Sequence, residues 1–170
     1  FLSCKKDKTT IINMGYNYFP NSAKHWIIYD VDSMYYYAFK WDTAIYQIKE
    51  VIDSFSTDNN GNPIQVIIRY KRPSDTAQWV YQKTWTASLT NTEAMRNEDG
   101  ITYVKLIFPV KLNATWNGNA FNTLPEWDYE YTSVDAPYTI NSTNFDSTAT
   151  VLQHNELDLV TNQYYAEIYA

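Results

Sequence analysis

From Lys24 onward, apolar and polar residues alternate in short runs separated by turn-forming clusters, and no helical period persists. His25 to Val31 is a β-rich run, and Ser33 to Trp41 is dense in aromatic residues. The stretch from Ile45 to Phe55 fits two patterns. Ile45, Ile48, Ile52 and Phe55 fall at helical spacing, while Tyr46, Ile48 and Ile52 also fit one face of a strand. The next residues decide between them. Asp58-Asn59-Asn60-Gly61-Asn62-Pro63 carries an Asn-Gly pair, whose left-handed backbone matches the twist of a hairpin. Ile64 to Arg72 then reads as a plain strand and needs a partner. Residues 45–56 and 64–72 are therefore predicted to form a hairpin.

Further along, Gln78 to Ala87 alternates large residues at Trp79, Tyr81 and Lys83 with Val80, Gln82 and Thr84. Thr90 to Arg96 fits a strand or a short helical turn. Glu98-Asp99-Gly100 is a second hairpin signal, and Ile101 to Val110 is the strongest strand signal in the chain. Trp116-Asn117-Gly118-Asn119 reads as a turn, and Glu126 to Val134 alternates acid with aromatic. Tyr138 to Asn141, Ala149 to Gln153 and Tyr164 to Tyr169 complete about nine strands without a clear helix. The fold class expected is all-β: one antiparallel meander forming an up-and-down barrel or a strongly curved sheet, with a β-sandwich as the alternative. Residues 1–22 are expected to be a tether, with one β domain over 23–170. The strand ending at Ala170 has no polar tail, so it is expected either to be inserted in the sheet or to mark an early stop that leaves out a final strand.

Composition narrows the function. The 170 residues fit one domain, and the net charge of −6 argues against a nucleic-acid partner, which would require clustered Lys and Arg. The 16 Tyr, 7 Phe and 6 Trp suit a pleated, half-buried surface on which a ring packs and a polar tip reaches water. No run of 18 apolar residues exists to span a membrane as a helix.

The segment Phe1-Leu2-Ser3-Cys4-Lys5-Lys6-Asp7-Lys8 holds the single cysteine. It resembles the cleavage site of a bacterial lipoprotein signal peptide, in which a small residue precedes a cysteine that is acylated. The resemblance implies three acyl chains on Cys4, which at about 0.8 kcal/mol per buried methylene would hold the protein at a membrane permanently. The alternative is an ordinary free thiol. A packing cysteine, however, belongs in an apolar run rather than beside a lysine cluster.

Four motifs together carry a family resemblance. They are His25-Trp26-Ile27-Ile28-Tyr29-Asp30-Val31-Asp32-Ser33, Val104-Lys105-Leu106-Ile107-Phe108-Pro109-Val110, Trp116-Asn117-Gly118-Asn119 and Tyr164-Tyr165-Ala166-Glu167-Ile168-Tyr169-Ala170. The chain resembles a group of uncharacterised lipoproteins of the Bacteroidota over nearly its whole length. The resemblance implies an extracytoplasmic, membrane-anchored, β-rich protein without established activity or catalytic residues. It also implies that relatives continue past Ala170 into one more strand. Some lipoproteins of this phylum reach the cell surface on an acidic signal just after the cysteine. Here that region is mostly lysine with one Asp7, which favours the inner side of the outer membrane.

Candidate chemistry is sparse. Glu126, Asp128 and Glu130 alternate with Trp127, Tyr129 and Tyr131, so a strand puts three carboxylates on one face and three rings on the other. Carboxylates at i and i+2 lie about 6.7 Å apart at Cα, within reach of glycoside chemistry. An acidic solvent face over an aromatic core face explains the same alternation, and is favoured. Asp30 and Asp32 are too few for calcium, and Asp58 to Asn62 lacks a closing Glu. His25 and His154 have no zinc-like spacing, and no nucleophile elbow or phosphate loop is present.

Tryptophans near turns and strand ends (Trp41, Trp85, Trp116, Trp127) are the remaining lead, because indole faces stack on sugars and line apolar pockets. Trp116 lies among amides and is expected to be partly exposed. The ligand-binding set expected is Trp116, Asn117, Asn119 and Trp127, with Cys4 as lipidation site. The function expected is a non-catalytic lipoprotein of the cell envelope, anchored at the outer membrane on its periplasmic or surface side. It is expected to bind a small apolar molecule or a glycan, with no cofactor and no metal. The alternatives are an accessory module docking a protein partner and a carboxylate-based glycan hydrolase.

Overall fold

The computed structural model describes residues 12–153 and 165–170. Cys4 and His154 lie outside the described residues. The architecture is all-β, without an α-helix among the described residues. Strands β1 (Trp26–Tyr37), β2 (Lys40–Thr57), β3 (Pro63–Arg72), β4 (Val80–Leu89), β5 (Glu93–Glu98) and β6 (Ile101–Ile107) pair in sequence order as one antiparallel meander. This six-stranded sheet curls into a half-barrel. A second sheet holds β7 (Thr115–Asn117), β8 (Asp128–Ile140), β9 (Thr143–Leu152) and β10 (Ala166–Tyr169), in the order β10-β9-β8-β7.

The expected hairpin over 45–56 and 64–72 is present as β2–β3. Its turn is organised by Asp58, whose carboxylate accepts the backbone N–H groups of Asn60 and Asn62, with Gly61 at φ +82°. Asp99-Gly100, at φ +54° and +88°, turns β5 into β6 with both residues left-handed, whereas at Asn60-Gly61 only the glycine is. The structure resolves two open readings and shifts one expectation. The aromatic run 33–41 holds the β1–β2 turn at Ala38-Phe39, with φ of +50° and +63°. Residues 93–98 form a strand, one of the two readings open for 90–96. The separate strands expected at 126–134 and 138–141 are one bent strand, β8. Its register slips between Tyr131 and Tyr138, and Asp135 takes a positive φ.

The core lies between the two sheets. Ile52, Ile67, Ala87, Ala94 and Leu106 of the half-barrel face Tyr129, Tyr131, Ala149 and Val151 of the smaller sheet. The sheets also bond directly at the β6–β7 side. The Val104 N–H donates to the Gly118 carbonyl, and the Trp116 indole N–H donates to the Val104 carbonyl at 2.9 Å. The segment expected as a tether through residue 22 contributes Tyr18 and Phe19 to this core. Both rings need cover, and the Tyr18 hydroxyl reaches Asp135 at 2.5 Å and Ser147 at 2.8 Å. The packed chain therefore starts before residue 23.

Candidate functional site

The residues singled out from sequence around Trp116 come together, and their polar groups bond to one another. The Asn117 side-chain oxygen accepts the Asn119 and Trp127 backbone N–H groups. Asn119 is buried, donates to the Pro125 carbonyl and accepts from Asn122. The Trp116 ring packs against Tyr129 and Tyr131, with centroids at 5.8 and 4.7 Å. Trp127 is the exposed member, and its indole N–H reaches the Gln153 carbonyl. Gly118 explains the local sequence. A Cβ there would sit 2.5–2.7 Å from Tyr129 ring carbons, so only glycine lets the ring lie on the backbone.

The acid–aromatic alternation appears as a half-buried strand. Tyr129 and Tyr131 are in the core, while Asp128 is exposed and Glu130 partly so. Glu126 precedes the strand and is also exposed. The three carboxylates follow one another along the chain rather than facing across a cleft. Among the described residues, no group of three or more His, Cys, Asp or Glu side chains is placed to hold a metal ion. The Asp58 carboxyl is held below its usual range by the Asn62 side chain and by backbone N–H groups of its own turn.

The concave face of the half-barrel carries a charge network with no sequence signature. Glu50 on β2 meets Arg69 on β3 at 3.0 Å and Arg96 on β5 at 2.7 Å. Lys105 on β6 meets Glu98 at 3.7 Å and Glu167 on β10 at 2.6 Å. The Arg69 guanidinium lies 3.8 Å from the centre of the Trp85 ring. Three cations thus face three carboxylates. Burial pushes the Glu167 carboxyl up, but the Lys105 ammonium and hydrogen bonds from Lys105 and Tyr169 outweigh it and hold the group below its ordinary range. The Tyr29 hydroxyl sits beside this network, and burial together with Glu50 raises its pKa to about 12. These ion pairs tie β2, β3, β5, β6 and β10 to one another across the sheets.

The surface feature that stands apart is the distal half of β1–β2. β3 reaches β2 only as far as Gln47, paired with Arg72. Beyond it, the pairs from Val31–Tyr46 to Tyr37–Lys40 form a two-stranded arm about 20 Å long at ~3.4 Å per residue. Tyr35 and Tyr37 lie on one face of the arm, and Met34, Tyr36 and Trp41 on the other. Tyr36 and Trp41 pack side by side, with ring centroids 5.3 Å apart. Among the described residues these rings stay largely exposed: Tyr37 is 72% exposed, Phe39 at the tip 95% and Trp41 53%, and the Ile45 side chain beside them is 77% exposed. The aromatic density is legible in the sequence, but the arm is not. The available signal was Tyr35-Tyr36-Tyr37, in which the apolar–polar alternation of a half-buried strand is lost.

An open groove of about 600 Å³ lies elsewhere, lined among others by Tyr16, Asn17, Asn21, His25, Thr90 and Asn91. The Tyr16 hydroxyl closes one side by donating to the Asn91 carbonyl. No described helix is long and apolar enough to cross a membrane. No protein-family model matches the chain, and neither a curated protein nor a solved structure matches it.

Proposed function

We propose that the protein is a non-catalytic docking module of the cell envelope, tethered through a lipid on Cys4, that engages a protein partner with the β1–β2 arm. One observation carries this reading: the largest rings of the arm are exposed on both of its faces and at its tip. A two-stranded ribbon is marginal by itself, and large apolar surface left open on a folded protein marks a contact site. The ion pairs that join the strands suit a scaffold for this contact surface.

Site-specific photo-crosslinking in the producing cells tests this. A benzophenone side chain at Phe39 is expected to give one discrete adduct, and the same group at Asn60, on the β2–β3 turn, none. Equal labelling at both sites, or no adduct at Phe39, overturns the reading.

A second reading rests on the groove at Tyr16. Its exposed ring and its Asn17, Asn21 and Asn91 amides suit the hydroxyls of a short glycan. Loss of glycan binding in Tyr16→Ala, with the arm intact, distinguishes the two.

A further inference from the structure

Among the described residues, β1 is the outermost strand of its sheet and pairs on one side only. Nine of its twelve residues are large and apolar; Asp30, Asp32 and Ser33 are the exceptions. A long apolar edge with open N–H and C=O groups is a template for another strand. β10 is the outermost strand of the other sheet and is not paired with β1; the charge of Glu167 on β10 is felt at the Tyr29 hydroxyl of β1.

Asp30 and Asp32 alternate along β1, so both carboxylates lie on the same face of the sheet. The residues opposite them on β2 are Gln47 and Ile45. Gln47 donates to Asp30 at 2.6 Å, and among the described residues neither carboxylate pairs with a cation.

We propose that the free edge of β1 takes up an extended segment of a protein partner by strand addition, with Lys or Arg of that segment beside Asp30 and Asp32. The proposal rests on the docking reading above and names its partner. Strand addition satisfies the open backbone groups, and side chains alternating to either face provide selection. Two other occupants fit less well. A second copy of β1 paired antiparallel on this edge about Val31 sets Asp30 against Asp32 and Asp32 against Asp30, and like charges across a ladder repel. A lipid phase leaves the open N–H and C=O groups unsatisfied, which hydrocarbon does not tolerate.

The test uses two synthetic strand peptides of alternating Thr and Val, identical except that two Thr at i and i+2 are replaced by Lys in one and Glu in the other. Affinity for the full chain is read by fluorescence anisotropy, and the site by amide exchange on β1. The lysine peptide is expected to bind at least tenfold tighter than the glutamate peptide and to slow exchange along β1. The double variant Asp30→Lys, Asp32→Lys is expected to reverse that preference. Asp30→Asn, Asp32→Asn is expected to abolish it with the fold unchanged. Equal affinities, or protection away from β1, overturn the strand proposal and leave docking by the arm standing. Failure of both peptides, with adsorption to phosphatidylcholine vesicles, overturns the proposal in favour of a lipid surface. Failure of both with no adduct at Phe39 overturns the docking reading as well.

Discussion

The Tyr131 hydroxyl makes two hydrogen bonds to one residue across the sheets. It accepts the Ile107 N–H at 3.0 Å and donates to the Ile107 carbonyl at 2.9 Å. Tyr131 is fully buried, and burial raises the pKa of its hydroxyl well above the usual range. The ring fills the core while the hydroxyl closes the end of β6. Tyr131→Phe keeps the ring and leaves the half-buried Ile107 N–H and carbonyl without this partner, so it is expected to destabilise the fold by about 1–3 kcal/mol. Urea unfolding of the variant beside the parent checks this; an unchanged midpoint would show the bonds to be dispensable.

Gly118 gives a second expectation. Gly118→Ala drives a methyl into the Tyr129 ring and is expected to cost about 1–3 kcal/mol. Gly61→Ala meets nothing within 4 Å and suffers only its left-handed φ, at about 1–2 kcal/mol. The contrast appears in a double variant. Tyr129→Leu relieves Gly118→Ala and leaves Gly61→Ala unaffected, so only the first pair departs from additivity.

The Glu167–Lys105 contact makes the attachment of β10 sensitive to acid. The folded carboxyl titrates below its ordinary 4.5, so the contact contributes fully above that pH and is lost as pH falls through the lower folded value. Glu167→Gln is therefore expected to flatten part of the acid limb of a stability–pH curve below about pH 4.5. Denaturant midpoints from pH 7 to pH 3 measure it. Parallel curves for parent and variant would remove Glu167 from the acid response.

The arm turns at Ala38-Phe39 with both residues left-handed, a conformation that costs a non-glycine residue about 1–2 kcal/mol. Ala38→Asn with Phe39→Gly installs the preferred turn pair and is expected to slow amide exchange near Tyr37 and Lys40. The same variant removes the ring at the tip. Slower exchange together with a weaker partner contact separates the strength of the turn from the purpose of Phe39. Faster exchange would contradict the turn geometry.

These elements differ in how far the sequence announces them. The β2–β3 and β5–β6 hairpins are legible because Asn60-Gly61 and Asp99-Gly100 state their turn in two residues. Ala38-Phe39 carries no such signal, so the most exposed hairpin is hidden inside an aromatic run. β8 reads as two strands because its bend near Asp135 resembles a break. The half-buried pattern at 128–131 is visible, since alternation directly encodes two faces. The Glu50–Arg69–Arg96 network is not, because the chain separations are long and only sheet register brings the groups together. The amides of Asn117 and Asn119 announce polarity but not direction. Both turn inward to organise their own loop.

The central claim is that the rings of the β1–β2 arm serve a contact outside this chain rather than its own core. Urea unfolding of the isolated protein carrying Tyr36→Ser, Phe39→Ser and Trp41→Ser tests it most directly. The account predicts a stability change of about 0.5 kcal/mol or less per site, the range of surface substitutions. A loss of about 3–5 kcal/mol per aromatic ring, as for rings removed from a packed interior, would contradict it.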